Sequence, residues 1–145
     1  MNTVSSVLIV DDNPHDVRLT KKMLEKSGRF ECVYAVSDGV EALALFQGYQ
    51  ASRTQFQDAF PPLLILLDIN MPFMDGFEFL NAYTSLDPEM RGQGSLVVML
   101  TSSSHGRDRQ RALDHPAVMD YVVKPINRRR ANELAEKILQ STAAI

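Results

Sequence analysis

Apolar segments recur along the chain and alternate with amphipathic segments, a pattern typical of strands alternating with helices. Five short apolar or alternating runs predict strands at 5–10, 30–36, 63–67, 95–100 and 118–123. The third run, Leu63–Leu67, has no polar position and ends in the single carboxylate of Asp68. A continuous apolar run predicts a central strand that is buried on both faces of its sheet.

Each predicted strand is followed by a segment with the apolar spacing of a helix. The five predicted helices cover residues 15–27, 40–49, 76–86, about 105–113, and 126 to about 140. Asn13-Pro14 and Gly28 are typical start and stop signals for the first of them. Residues 50–62 lack periodicity, which predicts a long loop that serves either as an interaction element or as a surface insertion.

Strands that alternate with helices predict an α/β fold, because parallel neighbouring strands need right-handed helical crossovers. We expect a doubly wound, flavodoxin-like sheet of five parallel strands in the order 2-1-3-4-5, surrounded by five helices. At 145 residues the chain is expected to form a single domain over 1–145, with its core at about 5–140 and no output domain.

Charge and composition narrow the classes of partner. A formal net charge of −3 argues against a general affinity for nucleic acid or anionic membranes. No run approaches the ~20 apolar residues that cross a bilayer, and the N-terminus lacks a signal-peptide pattern. The single cysteine excludes an internal disulfide and fits a reducing compartment. We therefore expect a cytoplasmic location.

The chemically capable polar residues follow the predicted strands at their carboxyl ends. Asp11-Asp12 follow the first strand, Asp68 the third, Thr101 the fourth and Lys124 the fifth. In an open parallel sheet these ends meet at one edge, where ligands bind. Crowded carboxylates repel one another, and a hard divalent cation such as Mg²⁺ relieves the repulsion.

The predicted Mg²⁺ ligands are Asp12 and Asp68 directly, Asp11 through water, and the main-chain carbonyl of Asn70. Lys124 can keep Asp68 ionised and contact a phosphoryl oxygen, and Thr101 offers a hydroxyl to another. These groups suit a carboxylate that receives a phosphoryl group. As structural alternatives, Asp11-Asp12 could cap the first helix, Lys124 could be a surface lysine, and Thr101 could terminate its strand or cap a helix.

Four motifs resemble those of the receiver domain of two-component response regulators, in that family's order and spacing over residues 5–140. They are Asp11-Asp12, the run DINMPFMDG from Asp68 to Gly76, Thr101-Ser102 and Lys124-Pro125. The chain resembles stand-alone, chemotaxis-regulator-like receivers. Its long segment before the third strand is similar to that of small receivers that serve phytochrome-like kinases.

The resemblance implies a role for each motif. Asp68 would be the phosphoacceptor and would receive its phosphoryl group from a sensor histidine kinase or a histidine phosphotransfer protein. Asp11 and Asp12 would hold Mg²⁺. Thr101 and Tyr121 would be the switch pair, in which the tyrosine ring turns inward as Thr101 moves onto the phosphoryl group. Lys124-Pro125 would carry the family's cis peptide bond.

We use the term C-terminal face for the surface of the fourth predicted helix, the fifth strand and the last helix, residues 105–140. Residues 105–130 within it carry seven Lys or Arg against three Asp. Arg128–Arg130 occupy the first turn of the last helix, where the helix dipole disfavours cations. This cost indicates an acidic partner or a homodimer contact, and a solvated basic face is the alternative. No element that reads DNA follows.

The expected function is a phosphoacceptor switch whose downstream partner is a protein, reached through the C-terminal face. It is not expected to be an enzyme beyond slow self-phosphorylation from small donors and slow self-dephosphorylation. The alternative is a receiver-like interaction module that works without phosphorylation. A phosphotransferase or phosphatase with an aspartyl intermediate is disfavoured, because such enzymes place an acid/base carboxylate two residues after the nucleophile and this chain has Asn70 there.

Overall fold

The computed structural model describes residues 2–92, 94–102 and 106–143 and contains one five-stranded parallel sheet. The strands are β1 Val4–Val10, β2 Phe30–Val36, β3 Leu64–Asp68, β4 Leu96–Thr101 and β5 Val118–Val123. Their order is β2-β1-β3-β4-β5, and every neighbouring pair is parallel. The predicted flavodoxin-like topology is confirmed.

Helices cover both faces of the sheet. They are α1 Pro14–Ser27, α2 Gly39–Gln47, α3 Tyr49–Phe56, α4 Gly76–Thr84, α5 Pro88–Arg91, α6 Gly106–Asp114 and α7 Arg128–Ala143. A short 3-10 helix, Gln57–Ala59, follows α3. No helix in the described parts of the chain has the length and apolar character needed to cross a membrane.

The central strand is buried on both faces, as its unbroken apolar run predicts. Leu64 and Leu66 pack in one core cluster with residues of α1 and α7, among them Leu24 and Leu134. Ile65 and Leu67 belong to a second cluster on the other face, which contains α2 and α4. Successive side chains of a strand point to opposite faces, so a strand between two helical layers must be apolar throughout.

The prediction of a loop over residues 50–62 is wrong for most of that segment, which forms α3 and the 3-10 helix. Phe56 stacks on Tyr34 with the ring centroids 4.7 Å apart. The buried Ser52 hydroxyl donates to the carbonyl of Leu45 at 2.7 Å. A two-turn helix that buries a serine and packs only its terminal residues, Tyr49 and Phe56, against other aromatic rings has no apolar period that the sequence pattern could reveal.

The described chain has seven α-helices where five were predicted, because α3 and α5 are both additional. α5 is a single turn that begins with Pro88, in the segment predicted as a link. α6 begins at Gly106, and the predicted start at His105 lies outside the described residues. α7 begins at Arg128, two residues after the predicted start, because Asn127 accepts a hydrogen bond from the N–H of Arg130 at 2.7 Å and caps the helix.

The loop between β3 and α4 is held close to the end of β3 by Gly76. The Gly76 N–H donates to the carbonyl of Ile69 at 2.8 Å. A Cβ atom at this position would lie 2.5 Å from the carbonyl oxygen of Asp68, so only glycine permits this approach. Asp75 and Glu78 then start α4 with reciprocal side-chain-to-backbone hydrogen bonds, a capping box.

Candidate functional site

Three carboxylates meet at the carboxyl edge of the sheet. Asp11 and Asp12 follow β1 directly, and Asp68 is the last residue of β3. Their oxygens lie within 4.8 Å of one another; Asp11 and Asp68 are buried and Asp12 is exposed. The strand directions and register bring them together, since β1 and β3 run parallel with Val10 beside Leu67.

The donor set of this cluster fits Mg²⁺. All three groups offer hard oxygen ligands, and the exposed side of Asp12 leaves room for the waters that Mg²⁺ retains. The N–H of Asn70 hydrogen-bonds the Asp68 carboxylate. This contact holds the backbone at Asn70 beside the cluster, where its carbonyl was predicted to contribute a ligand.

Lys124, one residue after β5, brings its ammonium into the same cluster. Its Nζ lies 2.8 Å from Asp11 Oδ2 and 3.5 Å from Asp68 Oδ2. It also lies 3.0 Å from Asp16 Oδ2, a contact that sequence reasoning missed. The Lys124 side chain is only 9% exposed, so the alternative of an ordinary surface lysine is wrong.

The electrostatics of the cluster follow from burial and crowding. Burial is the main reason why the pKa of the Asp68 carboxyl is raised to about 6. The Asp11 carboxylate contributes to this increase, and the Lys124 ammonium opposes it. Burial alone would lower the pKa of Lys124, but its hydrogen bond to Asp11 and its attraction to Asp68 and Asp16 raise it overall. Lys124 is therefore charged at neutral pH.

The cap of α1 is provided by Asn13 and not by the acidic pair. The Asn13 side chain accepts from the N–H groups of His15 and Asp16 at 3.0 and 3.1 Å. The Asn13 N–H in turn donates to Asp11 Oδ1 at 3.0 Å. The alternative in which Asp11-Asp12 cap the first helix is wrong, and this last bond fixes the orientation of the Asp11 carboxylate instead.

Thr101 and Tyr121, the predicted switch pair, are both buried and lie on neighbouring strands. Burial, followed by the Asp108 carboxylate, raises the pKa of the Tyr121 hydroxyl overall, although a hydrogen bond with the Thr101 side chain opposes this increase. The Lys124 N–H donates to the carbonyl of Thr101 at 2.6 Å. Lys124-Pro125 is a cis peptide, as predicted.

The C-terminal face neutralises part of its own positive charge. Arg130 and Lys137 approach Asp120 Oδ2 at 2.8 and 3.4 Å, and the guanidinium of Arg111 lies 3.9 Å from the ring centre of Phe77. Arg129 lies 3.5 Å from Glu133 Oε1 one turn further along α7, and its side chain is 89% exposed. The predicted position of Arg128–Arg130 in the first turn of the last helix is confirmed.

Comparison with known proteins agrees with this geometry. The family model described as "Response regulator receiver domain" matches residues 7–138. A crystal structure titled two component response regulator from Cytophaga hutchinsonii has a TM-score of 0.80 and 30% identity, covering 96% of this chain and 99% of that one. The bacteriophytochrome response regulator AtBRR has a TM-score of 0.72 and 32% identity, covering 97% and 94%.

One of the proteins with a similar sequence is much longer than this chain. The sensor protein GacS of Pseudomonas syringae pv. syringae is 33% identical over 136 residues, which cover 94% of this chain. The chain spans 13% of the length of GacS, so the likeness concerns one portion of that sensor protein. The family model extends over nearly all the strands and helices described above, and the chain belongs to the response regulator receiver domain family of two-component signalling.

Proposed function

We propose that this receiver domain is a phosphoryl-accepting switch in which Asp68 is the phosphoacceptor. The observation that carries the proposal is the Lys124 ammonium, held 3.5 Å from Asp68 Oδ2 among carboxylates whose oxygens lie within 4.8 Å of one another. A buried cation beside a nucleophilic carboxylate can stabilise the charge of a phosphoryl group in transfer. The proposed donor is a sensor histidine kinase or a histidine phosphotransfer protein.

The transfer is a substitution at phosphorus. An oxygen of Asp68 forms a bond to phosphorus while the bond to the donor breaks, P–N for a phosphohistidine or P–O for acetyl phosphate. The donor keeps the electron pair. Acetate therefore leaves as the anion, and a phosphohistidine whose other ring nitrogen carries a proton leaves as neutral imidazole. Asp11, Asp12, Asp68 and the Asn70 carbonyl would hold Mg²⁺, which when bound neutralises charge on the phosphoryl oxygens.

The response to the phosphoryl group is proposed to pass through Thr101 and Tyr121. Thr101 ends β4, one residue beyond Leu100, which pairs with Asp68, and Tyr121 lies on the adjacent β5. A Thr101 hydroxyl that turns towards the phosphoryl group changes its hydrogen bond with Tyr121, and Tyr121 belongs to the C-terminal face. The phosphorylated state would then bind a downstream protein, or a second copy of the chain, through this face.

Two alternatives make different predictions. An interaction module without phosphoryl chemistry would take up no phosphoryl group despite an intact acidic cluster. An enzyme with rapid turnover would need an acid/base group near the nucleophile, and Asn70 offers no proton-transfer group at the expected position. We therefore propose slow self-dephosphorylation rather than catalysis on a separate substrate.

The deciding experiment is incubation of the wild-type protein with acetyl phosphate, with Mg²⁺ or with EDTA. Intact mass should show the gain of one phosphoryl group only with Mg²⁺, and borohydride reduction of the acyl phosphate should map it to residue 68. Modification elsewhere would refute Asp68 as the acceptor. An absence of uptake, together with an absence of beryllofluoride binding, would favour the interaction module.

Lys124→Gln is expected to slow phosphoryl uptake by about a hundredfold, since it removes one buried donor to the charge of the transition state. The same variant should bind Mg²⁺ more tightly, because the carboxylates lose a competing cation. Uptake kinetics by mass and Mg²⁺ titration by calorimetry would measure both effects. Lys22→Gln, an exposed lysine on α1, is the control and should change neither. Equal losses of uptake and Mg²⁺ binding in Lys124→Gln would indicate a disrupted site instead.

A further inference from the structure

Asp16 is an acidic residue of the site that the predicted phosphoacceptor and metal ligands do not include. It lies in the first turn of α1, where its N–H donates to the capping side chain of Asn13 at 3.1 Å. Its Oδ2 lies 3.0 Å from Lys124 Nζ, although the two residues are 108 positions apart. It is not one of the three carboxylates grouped as metal ligands in the described chain.

The distances around Lys124 indicate that neighbouring carboxylates compete with Asp68 for its ammonium. The ammonium lies closer to Asp11 and Asp16, at 2.8 and 3.0 Å, than to Asp68, at 3.5 Å. A phosphoryl group on Asp68 needs this ammonium as a donor to one of its oxygens. Asp11 would bind a cation at the acidic cluster, whereas Lys124 is the one side-chain partner of Asp16 among the residues that the structure describes.

We infer that Asp16 is a positioning residue that holds Lys124 back from the phosphoacceptor and thereby limits formation of the phosphorylated state. The inference rests on the proposed function of Asp68. Asp16 acts through Lys124 and does not touch the reacting atoms. Its side chain is 31% exposed, so solvent screens the pair and the effect on transfer should be modest.

A purely structural role for Asp16 makes a different prediction. An acidic residue in the first turn of α1 stabilises the helix through its dipole, and its loss would lower thermal stability without accelerating phosphoryl uptake. If Asp16 instead competes for Lys124, its loss should accelerate phosphoryl uptake, because the Lys124 ammonium becomes free to contact the phosphoryl group. The sign of the kinetic change therefore separates the two roles.

The test is Asp16→Asn, measured for uptake from acetyl phosphate and for affinity towards beryllofluoride, both with Mg²⁺. Each should increase about three- to fivefold, the effect of one partly exposed ion pair. Mg²⁺ affinity should fall or stay constant, since removing a negative charge cannot strengthen cation binding. Asp16→Glu keeps the charge within reach of Lys124 and should behave like wild type.

Two controls separate competition for Lys124 from a general loss of negative charge. Glu25→Gln removes one exposed charge from α1 about 13 Å further along the helix axis, and it should leave uptake unchanged. Asp16→Asn introduced into Lys124→Gln should give no further increase, because its effect requires the ammonium. An equal increase in Glu25→Gln, or one that persists without Lys124, would overturn the inference.

The outcomes also separate this inference from the proposed function. If the wild-type protein takes up a phosphoryl group and Asp16→Asn is equal or slower, the inference alone fails. If the wild-type protein neither takes up a phosphoryl group nor binds beryllofluoride, the proposed function fails and the role of Asp16 fails with it. A thermal unfolding curve of each variant confirms that the folded protein is being measured.

Discussion

In Asp68→Asn, phosphoryl uptake from acetyl phosphate should disappear while the metal-free protein becomes more stable at neutral pH. The amide has no oxygen nucleophile of comparable strength, so no acyl phosphate forms. The stability gain follows from the cost of holding an ionised carboxylate in a buried position beside Asp11. We expect the free energy of unfolding to increase by about 1 to 2 kcal/mol.

The gain should depend on pH in a defined direction. Burial raises the pKa of Asp68 from 3.8 to about 6 in the folded protein. Folding thus favours the protonated carboxyl, and the resulting contribution to the free energy of unfolding is fully present below about pH 4. It is lost as pH rises towards 6, where the folded protein must ionise Asp68. The advantage of Asp68→Asn should therefore be small at pH 4, grow between pH 4 and 6, and stay constant above.

Urea unfolding in EDTA at several pH values, together with intact mass after acetyl phosphate, would test both effects. Asp58→Asn is the matched control, because Asp58 is an exposed aspartate on the 3-10 helix. It should retain uptake and show no such pH-dependent gain. Residual Mg²⁺-dependent uptake in Asp68→Asn would show that another residue accepts the phosphoryl group. A variant less stable than wild type at pH 7 would contradict the electrostatic argument.

Phe46→Ala is expected to destabilise the protein by about 3 to 5 kcal/mol, the cost of removing a fully buried phenyl ring. Phe46 projects from α2 into an aromatic cluster, with ring centroids 5.2 Å from Phe60 and 4.9 Å from Tyr83. Phe60 precedes β3 and Tyr83 lies on α4. One substitution should therefore weaken the packing that anchors α2 and the residues leading into β3 at once.

Phe73→Ala is the matched control, since it makes the same chemical change at a side chain that is 91% exposed. Phe73 has a positive φ of 67°, and alanine has the same backbone restriction, so the substitution changes side-chain contacts alone. We expect a change within about 0.5 kcal/mol. Urea unfolding at a fixed pH would measure both variants, and a loss in Phe73→Ala similar to that of Phe46→Ala would contradict the assignment of the core.

The strands and the main site could be predicted from the sequence, for a physical reason. A strand between two helical layers must be apolar at every position, as Leu64–Leu67 are, so its run stands out in the sequence. Parallel strands bring their carboxyl ends to one edge, so polar residues that follow several strands must converge. This argument located Asp11, Asp68 and Lys124 in one cluster without any knowledge of distances.

Only the tertiary structure decided the features that depend on contacts between distant residues. The α3 helix forms with a buried serine and a ring stacked on Tyr34, so its stability comes from packing and not from its own periodicity. Asp16 lies five residues after Asp11, where its spacing indicates an ordinary helix-surface carboxylate. Its contact with Lys124 requires the docking of α1 beside the end of β5. Because the lysine side chain is long and flexible, the carboxylates that it contacts are decided only by the folded structure.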